Sequence, residues 1–457
     1  MKNNKGSRRI IIHWFRRDLR LEDNRGFAEA LRRANALQAE VLPLFIFDNE
    51  ILKRLEDKDD ARVTFIHDRV TEMRAALEKE GSDIYCAHGA PLKIWQQLID
   101  EGHQILAVTW NEDYEPAARA RDGEISKLLG SKAIPVHSFK DQVVFEKNEV
   151  AKDDGKPYTV FTPFSKKWRS RLKELIDSNQ SPLKLEKCAV NYAKLFQGHM
   201  PENATLPSFQ AIGFKQNRAI VIPSDKVATE LIKSYASKRD LPAVKGTSHL
   251  GIHLRFGTLS VRRLVAKALE LDADVWLGEL IWREFFMQIL WHFPHVVDGA
   301  FRPEYERIHW RNNEAEFAAW CAGRTGYPLV DAGIRELNAT GFMHNRVRMV
   351  AGSFLVKHLL IDWRWGEAYF ARKLLDFELS ANNGNWQWVA GSGCDAAPYF
   401  RVFNPELQLK RFDAKHEYVK KWVPEFGTDQ YPAPMVDHQE ARARVLRAYA
   451  VVKAKSE

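Results

Sequence analysis

Cysteine is scarce. The 457 residues hold four, Cys86, Cys188, Cys321 and Cys394, and none forms a CxxC pair. That spacing excludes a disulfide framework and makes a reducing cytoplasm the expected compartment, with the thiols buried. Long apolar runs are missing too. Met1 to Arg9 is polar and basic and leads into only a short apolar run, and no stretch of 18 apolar residues occurs. A soluble protein without export is expected. Glycine signatures for phosphate are also absent: no GxGxxG follows Phe15, and there is no GxxxxGK[ST], so the amino-terminal region is not an obvious Rossmann dinucleotide site. No fixed-period repeat or low-complexity tract is present. Acidic residues are outnumbered, 60 against 68 Lys and Arg, giving a net charge of +8, which suits a polyanionic partner such as DNA or RNA.

Tryptophan is what stands out. Nine of the fourteen lie between Trp276 and Trp388, where even spreading would place about three or four. Indole is a large flat apolar group and an easily oxidised one, so a cluster can stack on planar ligands, pass single electrons or pack a helical core.

The length suits two domains. Strand-like runs at Ile10 to Phe15, Val41 to Phe47, Asp83 to Ala87, Ile105 to Trp110 and Ala133 to Ser138 alternate with helical periodicity over Arg25 to Ala36, Ala61 to Glu80, Ala90 to Glu101 and Pro116 to Leu129. Near-continuous apolar strands separated by helices predict an α/β domain with a doubly wound parallel sheet over 1–139. Residues 140–214 read as a connector with one helix near Lys167 to Ile176. From 215 to 457 apolar residues recur at helical spacing, predicting an all-α domain. Pro328 suits a helix start and Gly341 the stop after it.

Four segments could carry chemistry. Thr247 and Ser248, within Gly246 to Gly251, could meet a phosphate at a helix start or simply cap it. His249 and His253 lack a third partner and are read as non-metal histidines; no metal site is expected. Glu279, Trp282 and Arg283 fall at i, i+3 and i+4, a face that could contact a polar planar ligand or carry a Glu279 to Arg283 ion pair. Asn345, Arg348 and Met349 repeat that spacing, with Arg346 directed elsewhere and able to reach a phosphate. In Asp376 to Trp388, Asn-Asn-Gly reads as a turn, Trp386 and Trp388 should address different surroundings, and Asp376 could pair with Arg348.

The segments Glu279-Leu-Ile-Trp282-Arg283-Glu284, Thr325-Gly-Tyr-Pro328-Leu-Val-Asp331, Met343-His-Asn345-Arg346-Val-Arg348-Met349 and Asn382-Asn-Gly-Asn-Trp386-Gln-Trp388, with Trp14-Phe-Arg-Arg-Asp18-Leu-Arg-Leu-Glu-Asp-Asn24, closely resemble the photolyase/cryptochrome family. The resemblance runs over nearly the whole chain. It implies a folded FAD in the helical domain and light-driven electron transfer to UV-damaged DNA. Carried over by motif, Tyr235, Thr247, Ser248, Leu250, Trp276, Arg283, Asn345, Arg348, Asp376, Glu378 and Asn382 would line FAD, with Asn382 opposite flavin N5. Trp386, Trp363 and Trp310 match the family's electron relay. Glu279, Trp282, Asn345, Met349 and Trp388 match the pocket for a flipped pyrimidine dimer, and Arg239, Arg346, Arg401 and Gln408 match DNA-contacting positions. Of these, Glu279, Asn345, Met349 and Asn382 would serve the reaction directly. Trp291, Trp320 and Trp365 are expected to be packing or surface residues.

The residues from Asn345 to Met349 lack the histidine pair of (6-4) photoproduct enzymes and resemble those of class I cyclobutane pyrimidine dimer photolyases. A signalling cryptochrome is the alternative; such proteins often carry a long disordered tail, whereas here helix-like sequence from Gln439 to Lys453 follows Trp422. A colourless helical DNA-binding module is a third reading. Two positions depart from the family pattern: Gly251 replaces a frequent serine, and Glu378 a frequent aspartate. Tyr114-Glu115-Pro116-Ala117-Ala118 also lacks the Asn-Glu pair of folate-binding members, so the resemblance leaves the antenna chromophore unassigned. The expected protein is a cytoplasmic monomer.

Overall fold

The computed structural model describes residues 7–198, 204–396, 398 and 401–452. Two compact units are each assembled from separate stretches: the described residues of 1–146, 172–225 and 252–267 form one, and those of 147–171, 226–251 and 268–457 the other.

The first unit holds five strands, β1 (Arg9–Phe15), β2 (Glu40–Asp48), β3 (Tyr85–Gly89), β4 (Gln104–Asn111) and β5 (Val136–Phe139), in the order β3-β2-β1-β4-β5. All neighbours pair parallel. Successive side chains of a strand point to opposite faces. Ile11, Phe15, Val41 and Phe45 accordingly fill one core, while Ile10, Ile12, Trp14, Leu42, Leu44 and Ile46 fill another. Two buried faces are what the near-continuous apolar runs require. The helices α1 (Arg25–Leu37), α2 (Asn49–Leu52), α3 (Ala61–Glu78), α4 (Pro91–Asp100) and α5 (Pro116–Ser131) alternate with the strands. The short α2 had no apolar period to reveal it. β5 begins later than expected because Ala133 takes a left-handed φ of 57°, which breaks the extended run. β3 likewise starts two residues late, at Tyr85. At the end of β4 the Asn111 amide is spent internally: its Oδ1 accepts from Gly26 N at 2.9 Å, and its Nδ2 donates to Asp18 and Asn24.

The expected contiguous boundaries at 139 and 214 differ from these units. Residues 140–214 divide between the two, and 252–267 returns to the first unit. Burial of charge explains that return. Arg262, unexposed, pairs with Asp23 at 3.1 Å and Asp141 at 3.0 Å, and Arg20 pairs with Asp141 at 2.7 Å. Buried ions persist only when paired this way, and removing one partner is costly.

Helices follow from α6 (Phe161–Asp177) through α7 (Thr229–Lys238), α8 (Gly251–Arg255) and α9 (Val261–Glu270) to α10 (Asp274–His292). α6 starts six residues before the expected Lys167. The rest lie in the second unit: α11 (Glu314–Cys321), α12 (Pro328–Thr340), α13 (Asn345–Ser353), α14 (Trp363–Lys373), α15 (Leu379–Ala390), α16 (Pro405–Phe412), α17 (Glu417–Trp422) and α18 (His438–Ala448). Pro328 opens α12 and Gly341 closes it in the left-handed region, as expected. A π-helical turn, Phe354–His358, follows α13. The core of this unit gathers Trp320, Val330, Ile334, Val347, Phe354, Leu355, Trp363 and Trp386. No helix among the described residues is long and apolar enough to cross a membrane.

Asn-Asn-Gly at 382–384 is helix, contrary to the expected turn. A Cβ on Gly384 would lie 2.2 Å from Phe286 Cδ1, so glycine here permits the close approach of α10 and α15.

Candidate functional site

A cavity of about 640 Å³, counting space open to solvent, lies within the second unit. Its wall comes from α13, α14, α15 and the segment between the last two. Polar groups are Asn345, Arg348, Asp376, Glu378, Asn382 and Asn385; flat or apolar ones include Met349, Phe370, Leu374, Phe377, Trp386 and Trp388.

Local chemistry sets each element. His344 caps α13: its Nδ1 accepts from Arg346 N at 3.2 Å, which requires an unprotonated nitrogen, and burial lowers its pKa to about 4. Glu378 caps α15 by accepting from Ala381 N at 2.9 Å and from the Ser380 hydroxyl. Asp376 pairs with Arg348 Nη2 at 3.0 and 3.2 Å, while Arg348 Nε donates to Met343 O at 2.7 Å. The guanidinium is thereby fixed at the cavity wall.

Asn382 Nδ2 donates to Glu367 O at 3.1 Å, and its Oδ1 takes no partner among the described residues. The cavity is thus offered an amide acceptor. Burial raises the Glu367 carboxyl to about 7, against a hydrogen bond from Asn383 that favours its ionised form. Gly251 meets Asp376 so closely that a Cβ would lie 2.6 Å from Asp376 Cβ and 2.7 Å from Oδ2. No side chain fits there, which is a physical reason for glycine where the family has serine. This contact brings the 247–251 segment beside the Arg348–Asp376 pair, with Thr247 and Ser248 half-buried and their hydroxyls unpartnered among the described residues.

The other expected FAD positions do not line this cavity. Tyr235 and Trp276 are buried on α7 and α10, Leu250 is buried, and Arg283 is half-buried. His249 has a left-handed φ of 53° and stacks on Phe342 at 4.0 Å, so it shares no helical face with His253.

The positions expected to hold the dimer split between two places. Asn345, Met349 and Trp388 border the cavity, whereas Glu279 and Trp282 sit on α10. Glu279 pairs with Arg239, not with Arg283. Trp282 stacks face to face on Phe161, ring centroids 3.6 Å apart and planes 5° apart, and has Phe286 at 5.6 Å. Phe161 fell within the stretch read as connector; its aromatic neighbour Phe164 was the available signal. Arg346 pairs with Asp240 at 2.9 Å. Arg401 is exposed with its guanidinium over Phe403, and Gln408 is half-buried with Oε1 unpartnered.

Of the indoles expected to relay electrons, Trp386 and Trp363 are buried and Trp310 half-buried. Trp386 borders the cavity and packs edge-on against Phe370 at 4.9 Å and Trp320 at 6.3 Å. Trp310 meets Tyr449 at 6.1 Å. Trp388 is half-buried and also borders the cavity, so the two indoles of α15 share that space while packing differently elsewhere.

The pattern of a family described as "FAD binding domain of DNA photolyase" matches residues 276–428, and one described as "DNA photolyase" matches 11–183. The chain is 36% identical to the deoxyribodipyrimidine photo-lyase of a Synechococcus species, over 97% of each chain, and 36% identical to that of Escherichia coli, over 95% of this chain and 97% of the other. Among solved structures, a bacterial class III photolyase from Agrobacterium tumefaciens is similar at a TM-score of 0.84 and 32% identity, covering 99% of both chains. An archaeal photolyase from Sulfolobus tokodaii, described with two FAD molecules, is similar at 0.79 and 31% identity, covering 96% of this chain and 99% of the other. A Synechocystis cryptochrome shares the fold at 0.83 with 22% identity, covering 97% of this chain and 100% of the other.

Proposed function

The chain belongs to the photolyase/cryptochrome family, and from that premise we propose that it is a light-driven, FAD-dependent enzyme that splits cyclobutane pyrimidine dimers in UV-damaged DNA. The observation that carries this reading is the cavity in which a fixed guanidinium, an unspent amide oxygen and two indoles meet. The residues present fit the cofactor: Thr247 and Ser248 offer hydroxyls, Arg348 and Asp376 a polar wall, and Asn382 an acceptor. Bound FAD supplies absorption of light and the single electron.

Arg348 favours an anionic form of any ring held beside it. Asn382 Oδ1 can accept a hydrogen bond from a ring N–H, the amide being held in orientation by the bond from its Nδ2 to Glu367 O. Met349 and Trp388 give an extruded dimer apolar and aromatic walls, with Trp282 the indole on the α10 side. Asn345 can donate to a base carbonyl, a bond that strengthens as negative charge develops there, and Glu279 can accept from a base N–H. Before Glu279 does so, its carboxylate must share or leave Arg239. Arg239, Arg346, Arg401 and Gln408 provide backbone contacts, so DNA affinity falls with salt.

Absence of the histidine pair between Asn345 and Met349 supports the cyclobutane dimer as substrate. The class I resemblance rests on those residues alone, whereas the likeness to a class III photolyase runs the full length. The protein acts as a cytoplasmic monomer in this reading. The test is repair of a thymine-dimer oligonucleotide by purified, reduced protein under blue light, with a dark control and extraction of the bound chromophore. FAD-loaded protein that leaves the dimer intact would sink the repair reading; a light-dependent partner without repair would favour a photoreceptor.

A further inference from the structure

Two arginines assigned above to DNA, Arg239 and Arg346, meet at one carboxylate. Arg346 Nη2 lies 2.9 Å from Asp240 Oδ1, and Arg239 Nε lies 4.0 Å from the same oxygen. On its other side Arg239 Nη1 grips Glu279. Arg346 rests on Phe412, its guanidinium carbon 4.4 Å from the ring centroid, with Nη1 3.7 Å from Met349 Sδ. Its Nε is buried without a partner among the described residues. Charges therefore alternate Glu279, Arg239, Asp240, Arg346 from α10, past the end of α7, to α13.

Helix stability gives no reason for an acid at this point. α7 ends at Lys238 with Arg239 as its cap, and a carboxylate just beyond faces the negative end of the helix dipole. Its side chain is 40% exposed, so it stands where a phosphate backbone approaching the two arginines would be repelled.

We propose that Asp240 is a positioning residue that sets specificity: it holds Arg239 and Arg346 in one arrangement and withdraws their charge from indiscriminate phosphate binding. The inference rests on the DNA reading above. An intact duplex must displace Asp240 from its arginines and gains no base contacts in return. A duplex with an extruded dimer gains those contacts, which offset the displacement. Without the carboxylate, phosphate binding strengthens for any duplex while the arginines lose the brace that aligns them for the lesion. Both changes lower discrimination.

The experiment measures binding of the purified full chain to a short duplex carrying one thymine dimer, and to the same duplex intact, over a salt series. Asp240→Asn is expected to bind the intact duplex several-fold tighter at low salt, with a log affinity against log salt slope steeper by about one, and to lose several-fold in the dimer-to-intact ratio. Asp240→Glu, which keeps the charge, should restore most of the ratio and the original slope. A structural role alone would not steepen the slope. A wild-type protein that binds both duplexes alike removes the DNA reading and this inference with it. A discriminating wild type whose slope and ratio survive Asp240→Asn removes this inference alone.

Discussion

Gly366 puts the seat of Trp386 to a test of sign. It lies inside α14, where replacing glycine by alanine ordinarily stabilises a helix by about 0.5–1 kcal/mol. A Cβ there would lie 2.1 Å from Trp386 Cη2, 2.4 Å from its Cζ3 and 2.6 Å from Leu355 Cδ2. Carbon atoms prefer about 3.5–4.0 Å. Trp386 is 3% exposed and Leu355 0%, so neither can swing into solvent. Inserting a methyl into such a core costs roughly 1–3 kcal/mol. The collision offsets or outweighs the propensity gain, and Gly366→Ala should lose a net of about 0–2.5 kcal/mol. Gly123 in α5 is the control, because nothing lies within 4 Å of a Cβ built there, and Gly123→Ala should gain up to about 1 kcal/mol. Urea unfolding followed by helical circular dichroism reads both, as a shift of midpoint at constant slope. Displacement of the indole should also slow photoreduction of the flavin. If Gly366→Ala stabilised the protein as the control does, the close approach of α14 and α15 would be refuted.

Three further outcomes are expected. Trp386→Phe should slow photoreduction of oxidised flavin while leaving repair by pre-reduced enzyme largely intact, as transient absorption and repair assays would report; equal loss of both contradicts a relay role. Trp282→Ala should weaken binding of dimer-containing DNA by roughly 1–3 kcal/mol if stacking is its task, and unchanged discrimination against intact DNA would remove it from the lesion site. Burial lowers the Lys357 amine from 10.5 to about 7. The folded chain therefore binds fewer protons than the unfolded one across that window, and stability rises with pH from about 7 to 10.5. Lys357→Met should abolish that rise and add stability chiefly at or below neutral pH; melting temperatures measured against pH decide it, and a wild-type slope in the variant would assign the effect elsewhere.

The α/β layer was legible because parallel strands buried on both faces leave apolar runs, and because helices between them carry their own period. Its edges were not, since the left-handed Ala133 leaves no mark on composition. Discontinuity of the two units was equally hidden. It follows from Arg262 finding Asp23 and Asp141, a pairing that no local pattern encodes. At 382–384 the local signal pointed the wrong way: Asn and Gly favour turns, but Gly384 serves the packing of Phe286 inside a helix. The Arg348–Asp376 pair was readable as two complementary charges on flanking elements. Phe161 and Asp240 were not, because each matters only through the neighbour that the fold delivers to it, Trp282 in one case and two arginines in the other.

The same dependence on neighbours separates the tryptophans. Trp363 is 1% exposed and carries the Arg364 guanidinium 4.7 Å from its ring centroid. A cation over an indole stabilises the neutral ring and penalises its oxidised form. Arg364 shares its charge with Glu306 at 2.6 Å and Asp362 at 3.3 Å, so the bias is modest, about 0.5–1 kcal/mol. Against a thermal energy of roughly 0.6 kcal/mol, that still shifts occupancy by a factor of about two to five. Trp310, half-buried and flanked by Tyr449, has no cation over its ring among the described residues. If Trp386, Trp363 and Trp310 form a relay, an electron vacancy is therefore disfavoured at the middle indole relative to the outer one. This asymmetry comes from one arginine adjacent in sequence to the middle tryptophan, not from any property of indole itself.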